Sequence, residues 1–251
     1  MKRICFMGDS HTAAIKRAWW AMESDHPGIS ITFFSAHRSK YVGLEVHGNT
    51  LVPGDDKLRE TLLRSCNCEP VIAPDYDRYL LCGLDYSMRL TINSLRRFRS
   101  EDQTSDNRAP ISSGCYLTAM TGCLRDTILV QTARKVRAIT QQPMTIIPAP
   151  RVSDASGVER FRRLRESGDA ALVAGYFDRS SDILCQELDA DILQQPAETL
   201  SNPVQTLALY SKDAPREFGD TPRPDGWQDY QHMNADYGAL VLRDLFAMPG
   251  F

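Results

Sequence analysis

The sequence lacks the features that would direct it to a membrane or to nucleic acid. No run of apolar residues approaches the roughly 20 that a membrane-spanning helix needs. With 29 Lys and Arg against 32 Asp and Glu, the net charge is -3, so the chain has no basic field for nucleic acid or anionic lipid. We therefore expect no nucleic-acid partner and no membrane partner, and a small molecule or a glycan as the ligand.

Metal-binding and secretion patterns are also absent. Cys66-Asn-Cys68 has no second ligand pair at metal-finger spacing, so the sequence predicts no metal site. The seven cysteines are an odd number, and Cys5 and Cys82 lie in apolar strand-like runs, which is typical of reduced core thiols. The N-terminus leads into the first strand without the apolar core of a signal peptide. We expect a cytoplasmic protein.

Strand and helix patterns alternate along the chain and predict the fold class. Apolar or β-branched runs predict strands at residues 4–7, 29–34, 78–82, 143–147 and 189–193. Helical spacing follows at residues 11–22, 55–64, 86–98, 121–140, 157–187 and 234–245. Turn residues between 41–46 and 50–52 predict a small hairpin after strand 2. The alternation indicates an α/β fold with a parallel sheet and helices on both of its faces.

The turn after the first strand places a serine at the start of the first helix. A Gly-Asp-Ser-His motif occupies residues 8–11. There the Ser10 hydroxyl lies among unpaired backbone N–H groups at the positive end of the helix dipole, where developing negative charge is stabilised. Ser10 is therefore a candidate nucleophile. The alternative from the residues alone is that Ser10 only caps the helix, since Ser is a favoured N-cap.

A candidate base for this serine stands just before the last helix, where Asp229 precedes His232 by three residues. A carboxylate at this spacing can bind one imidazole nitrogen and leave the other free to take a proton from a serine hydroxyl. His26, His37 and His47 lie beside a Pro-Gly break or in polar segments, so His232 is the predicted base. Asp-x-x-His alone also fits a loop and helix start held for capping reasons.

The two blocks together resemble the SGNH superfamily of hydrolases, also called the GDSL lipases and esterases. The resemblance rests on the Gly-Asp-Ser-His motif after a first strand and on Asp229-x-x-His232-x-Asn234 before a last helix. Between these blocks it rests on Gly83 after the third strand and on the strand at 143–147. The resemblance covers most of the chain as a layout and its two ends as motifs.

The resemblance implies one domain, residues 1–251, with a three-layer, flavodoxin-like α/β/α fold around a mainly parallel sheet. It implies that Ser10 attacks an ester or thioester carbonyl, that His232 acts as general base and then general acid, and that Asp229 orients His232. The expected substrate is an acyl ester of a small molecule or glycan, such as an O-acyl or O-acetyl group. No cofactor is expected.

The resemblance also implies an oxyanion hole, from the serine N–H, the N–H of a glycine after the second strand and an asparagine side chain after the third. The glycine is then Gly43, with Gly48 as a rival. The Gly-x-Asn block appears here as Gly83-Leu84-Asp85. An ionised carboxylate accepts hydrogen bonds but cannot donate one, so Asp85 departs from the pattern of the superfamily.

The sequence also suggests roles for four further residues, without deciding between the alternatives for each. Asn49 and Asn93 are alternative oxyanion donors by residue type only. His11 stands where the lipase-named members commonly have Leu, and is either a polar residue at the pocket rim or an ordinary residue of the first helical turn. Asp9 is interpreted as a structural hydrogen-bonding residue.

Three functions are compatible with these patterns. The first is a serine esterase that hydrolyses an acyl ester. The second is an acyltransferase of glycan metabolism with the same serine, in which the long loops predicted at 98–115 and 196–228 exclude water. The third is a non-catalytic protein that keeps the fold without the oxyanion asparagine, because Asp85 replaces it.

Overall fold

A computed structural model describes residues 1–104, 107–214 and 229–251 of the chain. Its strands, in chain order, are β1 (Lys2–Gly8), β2 (Ile29–Ser35), β3 (Leu44–His47), β4 (Thr50–Pro53), β5 (Arg78–Cys82), β6 (Phe98–Ser100), β7 (Ala109–Ile111), β8 (Met144–Ile147), β9 (Asp191–Ile192), β10 (Leu200–Asn202) and β11 (Gln205–Thr206). Its α-helices are α1 (Thr12–Met22), α2 (Arg38–Tyr41), α3 (Asp56–Cys66), α4 (Met88–Ser94), α5 (Ser113–Arg125), α6 (Ile128–Ile139), α7 (Glu159–Glu166), α8 (Ala170–Leu188) and α9 (Ala235–Phe246).

Five of these strands form the central sheet, in the order β2-β1-β5-β8-β9. All four neighbouring pairs are parallel. The chain therefore builds the sheet outward from β1, first to β2 on one side and then to β5, β8 and β9 on the other. The carboxyl ends of β1 and β5 are adjacent where the direction of winding reverses, which is where ligands bind in open α/β sheets.

Alternating side chains on the strands separate the two helical layers. Ile4 and Phe6 of β1 belong to an apolar cluster with residues of α1 and α9 on one face. Cys5 and Met7 point to the other face, into a larger cluster with residues of α3, α4, α5, α6 and α8. This is the two-residue period of a strand buried on both faces. The fold is a three-layer α/β/α sandwich, as predicted.

The small hairpin predicted after strand 2 is also present. β3 and β4 pair antiparallel and form a separate two-stranded sheet beside the central one. The predicted cap of the last helix is confirmed as well, because Asn234 Oδ1 accepts a hydrogen bond from the N–H of Tyr237.

Two helices predicted as continuous are each divided. The helix predicted at 121–140 is α5 and α6, because the extended backbone of Thr127 ends one helix and its hydroxyl caps the next. The segment predicted as mostly helical at 157–187 is α7 and α8, with a break at Gly168. Apolar periodicity continues through both breaks and so does not show them.

The two predicted long loops contain more structure than expected. The segment 98–115 includes β6, β7 and the start of α5, and Ser100 and Gln103 are buried rather than exposed. The acyltransferase hypothesis relied on two long loops, so the secondary structure in this segment removes part of its support. The segment 196–228 contains the β10–β11 hairpin. Residues 105–106 and 215–228 of these segments lie outside the described residues.

Within the three described ranges, no helix combines the length and the apolar character that crossing a bilayer requires.

Candidate active site

A cavity of about 220 Å³ opens at the carboxyl edge of the central sheet. Segments that follow β1, β2, β5 and β8 form its wall, together with the segment that precedes α9. Ser10, the turn after Gly83 and the chain after Ile147 thus share one edge of the sheet. The residues around the cavity are Asp9, Ser10, His11, His37, Arg38, Asp85, Ser87, Arg89, Ala149, Pro150, Val152, Gln231 and His232.

A chain of hydrogen bonds joins Ser10, His232 and Asp229. The Oγ atom of Ser10 lies 2.7 Å from Nε2 of His232. On the other side of the ring, Nδ1 of His232 lies 2.7 Å from Oδ2 of Asp229. A carboxylate only accepts, so Nδ1–H donates to Asp229, and Nε2 of the neutral ring then accepts from the serine hydroxyl. This is the arrangement in which a histidine can withdraw the serine proton.

The same geometry answers the alternative that Ser10 is only a helix cap. Helix α1 begins at Thr12, and His11 occupies its N-cap position without a capping side-chain hydrogen bond. The hydroxyl of Ser10 instead contacts His232.

The surroundings of Asp229 keep its carboxylate ionised. Its side chain is 7% exposed, against 30% for His232. Burial alone would raise the pKa of Asp229, but the hydrogen bond from His232 and those from the N–H groups of Gln231 and His232 lower it well below its ordinary value. A fixed negative charge beside Nδ1 favours the imidazolium that forms when His232 takes a proton.

Asp9 connects the turn after β1 to the turn after β5. Its Oδ1 accepts from the N–H of His11 at 3.1 Å, and its Oδ2 accepts from the N–H of Leu84 at 2.8 Å. Gly83 stands against this carboxylate with φ +72°, and an added Cβ would lie 2.4 Å from Oδ1 of Asp9. The structural role expected for Asp9 is thereby confirmed. Gly83 leaves space for the carboxylate of Asp9 and does not itself line the cavity.

Helices α1 and α9, which follow Ser10 and His232, pack backbone to backbone. A Cβ built on Gly238 of α9 would lie 2.2 Å from the carbonyl oxygen of Ala14 in α1. The absence of a side chain at Gly238 thus sets the separation of the two helices. Through them it sets the approach of the serine to its base.

His11 contributes to the wall and contacts the predicted base. Its ring stacks on that of His232, with centroids 5.0 Å apart and planes inclined by 29°. Burial lowers the pKa of His11, and the neighbouring His232 lowers it further. Among the described residues, the buried Nδ1 of His11 has no hydrogen-bond partner. Of the two open interpretations of His11, the structure supports a residue of the pocket.

Gly43, predicted as the second oxyanion donor, is not brought to the cavity. It follows α2, and its N–H donates to the carbonyl of Lys40 at 3.0 Å. Its rival Gly48 lies in the β3–β4 turn, with φ +62°. The chain leaves β2 through Ala36 and His37, and it reaches the cavity at His37, six residues before Gly43. The predicted glycine is therefore wrong for this position.

Asp85 does line the cavity, but as one partner of an ion pair. Its carboxylate accepts from the guanidinium of Arg38. The asparagines considered as substitutes lie elsewhere, because Asn49 is in the hairpin turn and Asn93 accepts from Arg160. Neither is part of the cavity wall.

Sequence reasoning missed five polar side chains of this wall, His37, Arg38, Ser87, Arg89 and Gln231. Their positions in the sequence indicated that they could reach the cavity. His37 and Arg38 follow β2, Arg89 follows the turn after β5, and Gln231 is next to His232. Residue type alone did not separate them from ordinary surface residues. As for metals, no group of three or more His, Cys, Asp or Glu side chains suited to hold an ion occurs in residues 1–104, 107–214 and 229–251.

No protein-family model matches the chain, and no curated protein matches it. Two solved structures are similar in overall fold. One, from Streptococcus pneumonia and provisionally named a platelet activating factor, has a TM-score of 0.46 and 9% identity, covering 98% of this chain and 83% of that one. The other, from Agrobacterium tumefaciens str. C58 and provisionally named an arylesterase, has a TM-score of 0.42 and 14% identity, covering 98% and 97%. With both TM-scores below 0.5, the functional conclusion rests on the geometry of the site.

Proposed function

We propose that the protein is a serine-dependent hydrolase that cleaves a carboxylic ester of a small molecule or glycan, as a divergent relative of the SGNH hydrolases. The observation that carries the proposal is the hydrogen-bonded series Ser10, His232 and Asp229, with both contacts at 2.7 Å. Residues from the two ends of the chain meet here with the orientation that nucleophilic acyl transfer requires. A cytoplasmic location is part of the same proposal.

In the proposed reaction, Nε2 of His232 takes the proton of Ser10 as Oγ attacks the ester carbonyl. His232 then returns this proton to the departing alkoxide as the acyl-enzyme forms. A water molecule deprotonated by His232 releases the carboxylic acid and restores Ser10. Asp229 stays ionised throughout and stabilises the imidazolium.

Negative charge that develops on the carbonyl oxygen needs donors close to Ser10. The backbone N–H of Ser10 makes no hydrogen bond within the described part of the chain and stands just before the positive end of α1. The wall adds the side-chain donors of Arg38 and Gln231. With such donors present, the ionised Asp85 does not by itself make the site inactive.

Hydrolysis of short-chain para-nitrophenyl esters tests the proposal, with Ser10→Ala as the decisive variant. We expect Ser10→Ala to lower kcat by at least about 10³-fold, because the nucleophile is removed. Ser94→Ala is the matched control, since Ser94 is exposed at the end of α4 and is not part of the wall. Wild-type protein without esterase activity, or equal activity of Ser10→Ala, would reject the proposal.

A further inference from the structure

The two arginines on the cavity wall differ in whether an acidic side chain pairs with them. Arg38 donates to the carboxylate of Asp85 and is neutralised by it. Arg89 lines the same cavity, and within the described residues its guanidinium has neither a hydrogen bond nor an ion pair. Among the described residues, the cavity beside Ser10 therefore has an arginine that no acidic side chain pairs with.

The surroundings of Arg89 make this charge costly. The residue is half-buried on α4, and burial lowers its pKa, as does the nearby Arg38. Asp85 opposes this effect, while Arg160 adds to it. Arg160 itself donates to the neutral side chain of Asn93, and it makes no ion pair with a carboxylate in the part of the chain that the structure describes. A guanidinium cannot lose its proton in a protein, so the local positive charge persists.

An anion at this position would remove the cost. Burying a charge is unfavourable unless it is paired and hydrogen-bonded. The planar guanidinium presents parallel N–H groups that match the two oxygens of a carboxylate or of a phosphate. The cavity is lined mainly by polar groups, so an anionic group of a ligand would meet further donors there, such as Gln231.

We propose that the substrate carries a carboxylate or a phosphate close to its ester group, and that Arg89 binds this anion while Ser10 attacks the carbonyl. This inference rests on the proposed function and narrows its substrate class from esters in general to anionic esters. Arg89 acts here as a specificity-determining residue, whereas Ser10, His232 and Asp229 perform the chemistry.

Matched esters test the inference. Para-acetoxybenzoate is compared with its neutral methyl ester, and para-acetoxyphenyl phosphate provides the phosphate form. Para-nitrophenyl hemisuccinate places the charge on the acyl side instead, and para-nitrophenyl pentanoate is its neutral counterpart. We expect kcat/KM of wild-type protein to favour an anionic member of the set by about 10- to 100-fold, the range that one charge-assisted hydrogen-bond pair supplies.

The variant Arg89→Gln should remove this preference, with a loss of kcat/KM about 10- to 100-fold larger for the anionic ester than for its neutral counterpart, because the substrate anion loses its partner. Arg89→Lys should retain part of it, since it keeps the charge without the paired donors. Arg134→Gln is the charge-matched control on the exposed face of α6 and should keep the full preference. Circular dichroism spectra verify that each variant is folded.

The outcomes separate this inference from the proposed function. Ser10-dependent hydrolysis of neutral and anionic esters at equal rates overturns the inference and leaves the esterase intact. An equal loss for both kinds of ester in Arg89→Gln also overturns it, because Arg89 then acts on the reacting carbonyl. Failure of wild-type protein to hydrolyse any of these esters rejects both.

Discussion

Gly238 of α9 faces the carbonyl oxygen of Ala14 in α1, and a Cβ added to it would lie 2.2 Å from that oxygen. Real Cβ atoms do not come so close to a backbone oxygen, so a side chain here must move α9 away from α1. The two helices begin just after the residues of the proposed nucleophile and base. This backbone contact therefore links the packing of the core to the geometry of the site.

Gly238→Ala should lower both stability and activity. Overpacking of this kind costs about 1–3 kcal/mol of unfolding free energy, and a shift of His232 by about 1 Å can lower kcat by about 10²-fold. Chemical denaturation and ester hydrolysis measure the two effects. Gly175→Ala in α8 is the control, since its Cβ meets no atom within 4 Å and should stabilise by about 0.5–1 kcal/mol. An unchanged Gly238→Ala would contradict the close helix contact.

Asp9→Ala should destabilise the fold, because the N–H groups of His11 and Leu84 both lose their acceptor. Each buried N–H left without a partner costs about 1–3 kcal/mol, so we expect a loss of about 2–6 kcal/mol in urea denaturation. Asp25→Ala, at an exposed position after α1, should change stability by less than about 0.5 kcal/mol. Equal stability of the two variants would show that Asp9 does not hold the two turns together.

Asp229 should make the stability of the protein depend on pH. Its pKa in the folded protein lies below the value of about 3.9 expected in the unfolded chain. Its contribution is therefore complete above that unfolded value and is lost as the pH falls toward the lower folded pKa. The stability difference between wild type and Asp229→Asn should have its full size above about pH 5 and shrink as the pH falls from about 4 to 2, as measured by urea denaturation at each pH. A difference that stays constant would contradict the lowered pKa.

The same variant should be a poor enzyme. An amide at residue 229 no longer selects the tautomer of His232 that presents an accepting Nε2 to Ser10, so kcat should fall by about 10³- to 10⁴-fold.

The stacking of His11 on His232 should matter through shape rather than through hydrogen bonding, because Nδ1 of His11 has no partner among the described residues. His11→Phe keeps an aromatic face and removes the unpartnered nitrogen, so its kcat should stay within about threefold of wild type. His11→Ala removes the stack and should lower kcat by about 10-fold. A larger loss in His11→Phe than in His11→Ala would show that the imidazole nitrogens take part directly.

The sequence predicts this site to the extent that its chemistry lies in short motifs. Ser10 could be placed because a strand, a turn and a helix surround it, and Asp229 and His232 because three residues separate them. The central strands could be placed for a related reason, since a strand buried on both faces reads as an unbroken apolar run.

What could not be predicted depends on tertiary contacts. Gly43 was predicted because it is a glycine at some distance after the second strand. Which N–H groups face the cavity is instead decided by the path of the chain after β2. The break at Thr127 leaves no trace in the apolar pattern, because α5 and α6 both continue the same buried face. That Arg89 has no ion-pair partner among the described residues becomes visible once the Arg38–Asp85 ion pair is known, since composition does not show which charges are matched.

Labelling with a fluorophosphonate, followed by intact-mass measurement and peptide mapping, shows whether Ser10 is the nucleophile of the protein. If Ser10 is activated by His232, the protein acquires one phosphonyl adduct, located on Ser10, and His232→Ala prevents its formation. An unlabelled Ser10, or an adduct confined to another residue while ester hydrolysis continues, would contradict the claim that Ser10 is the nucleophile.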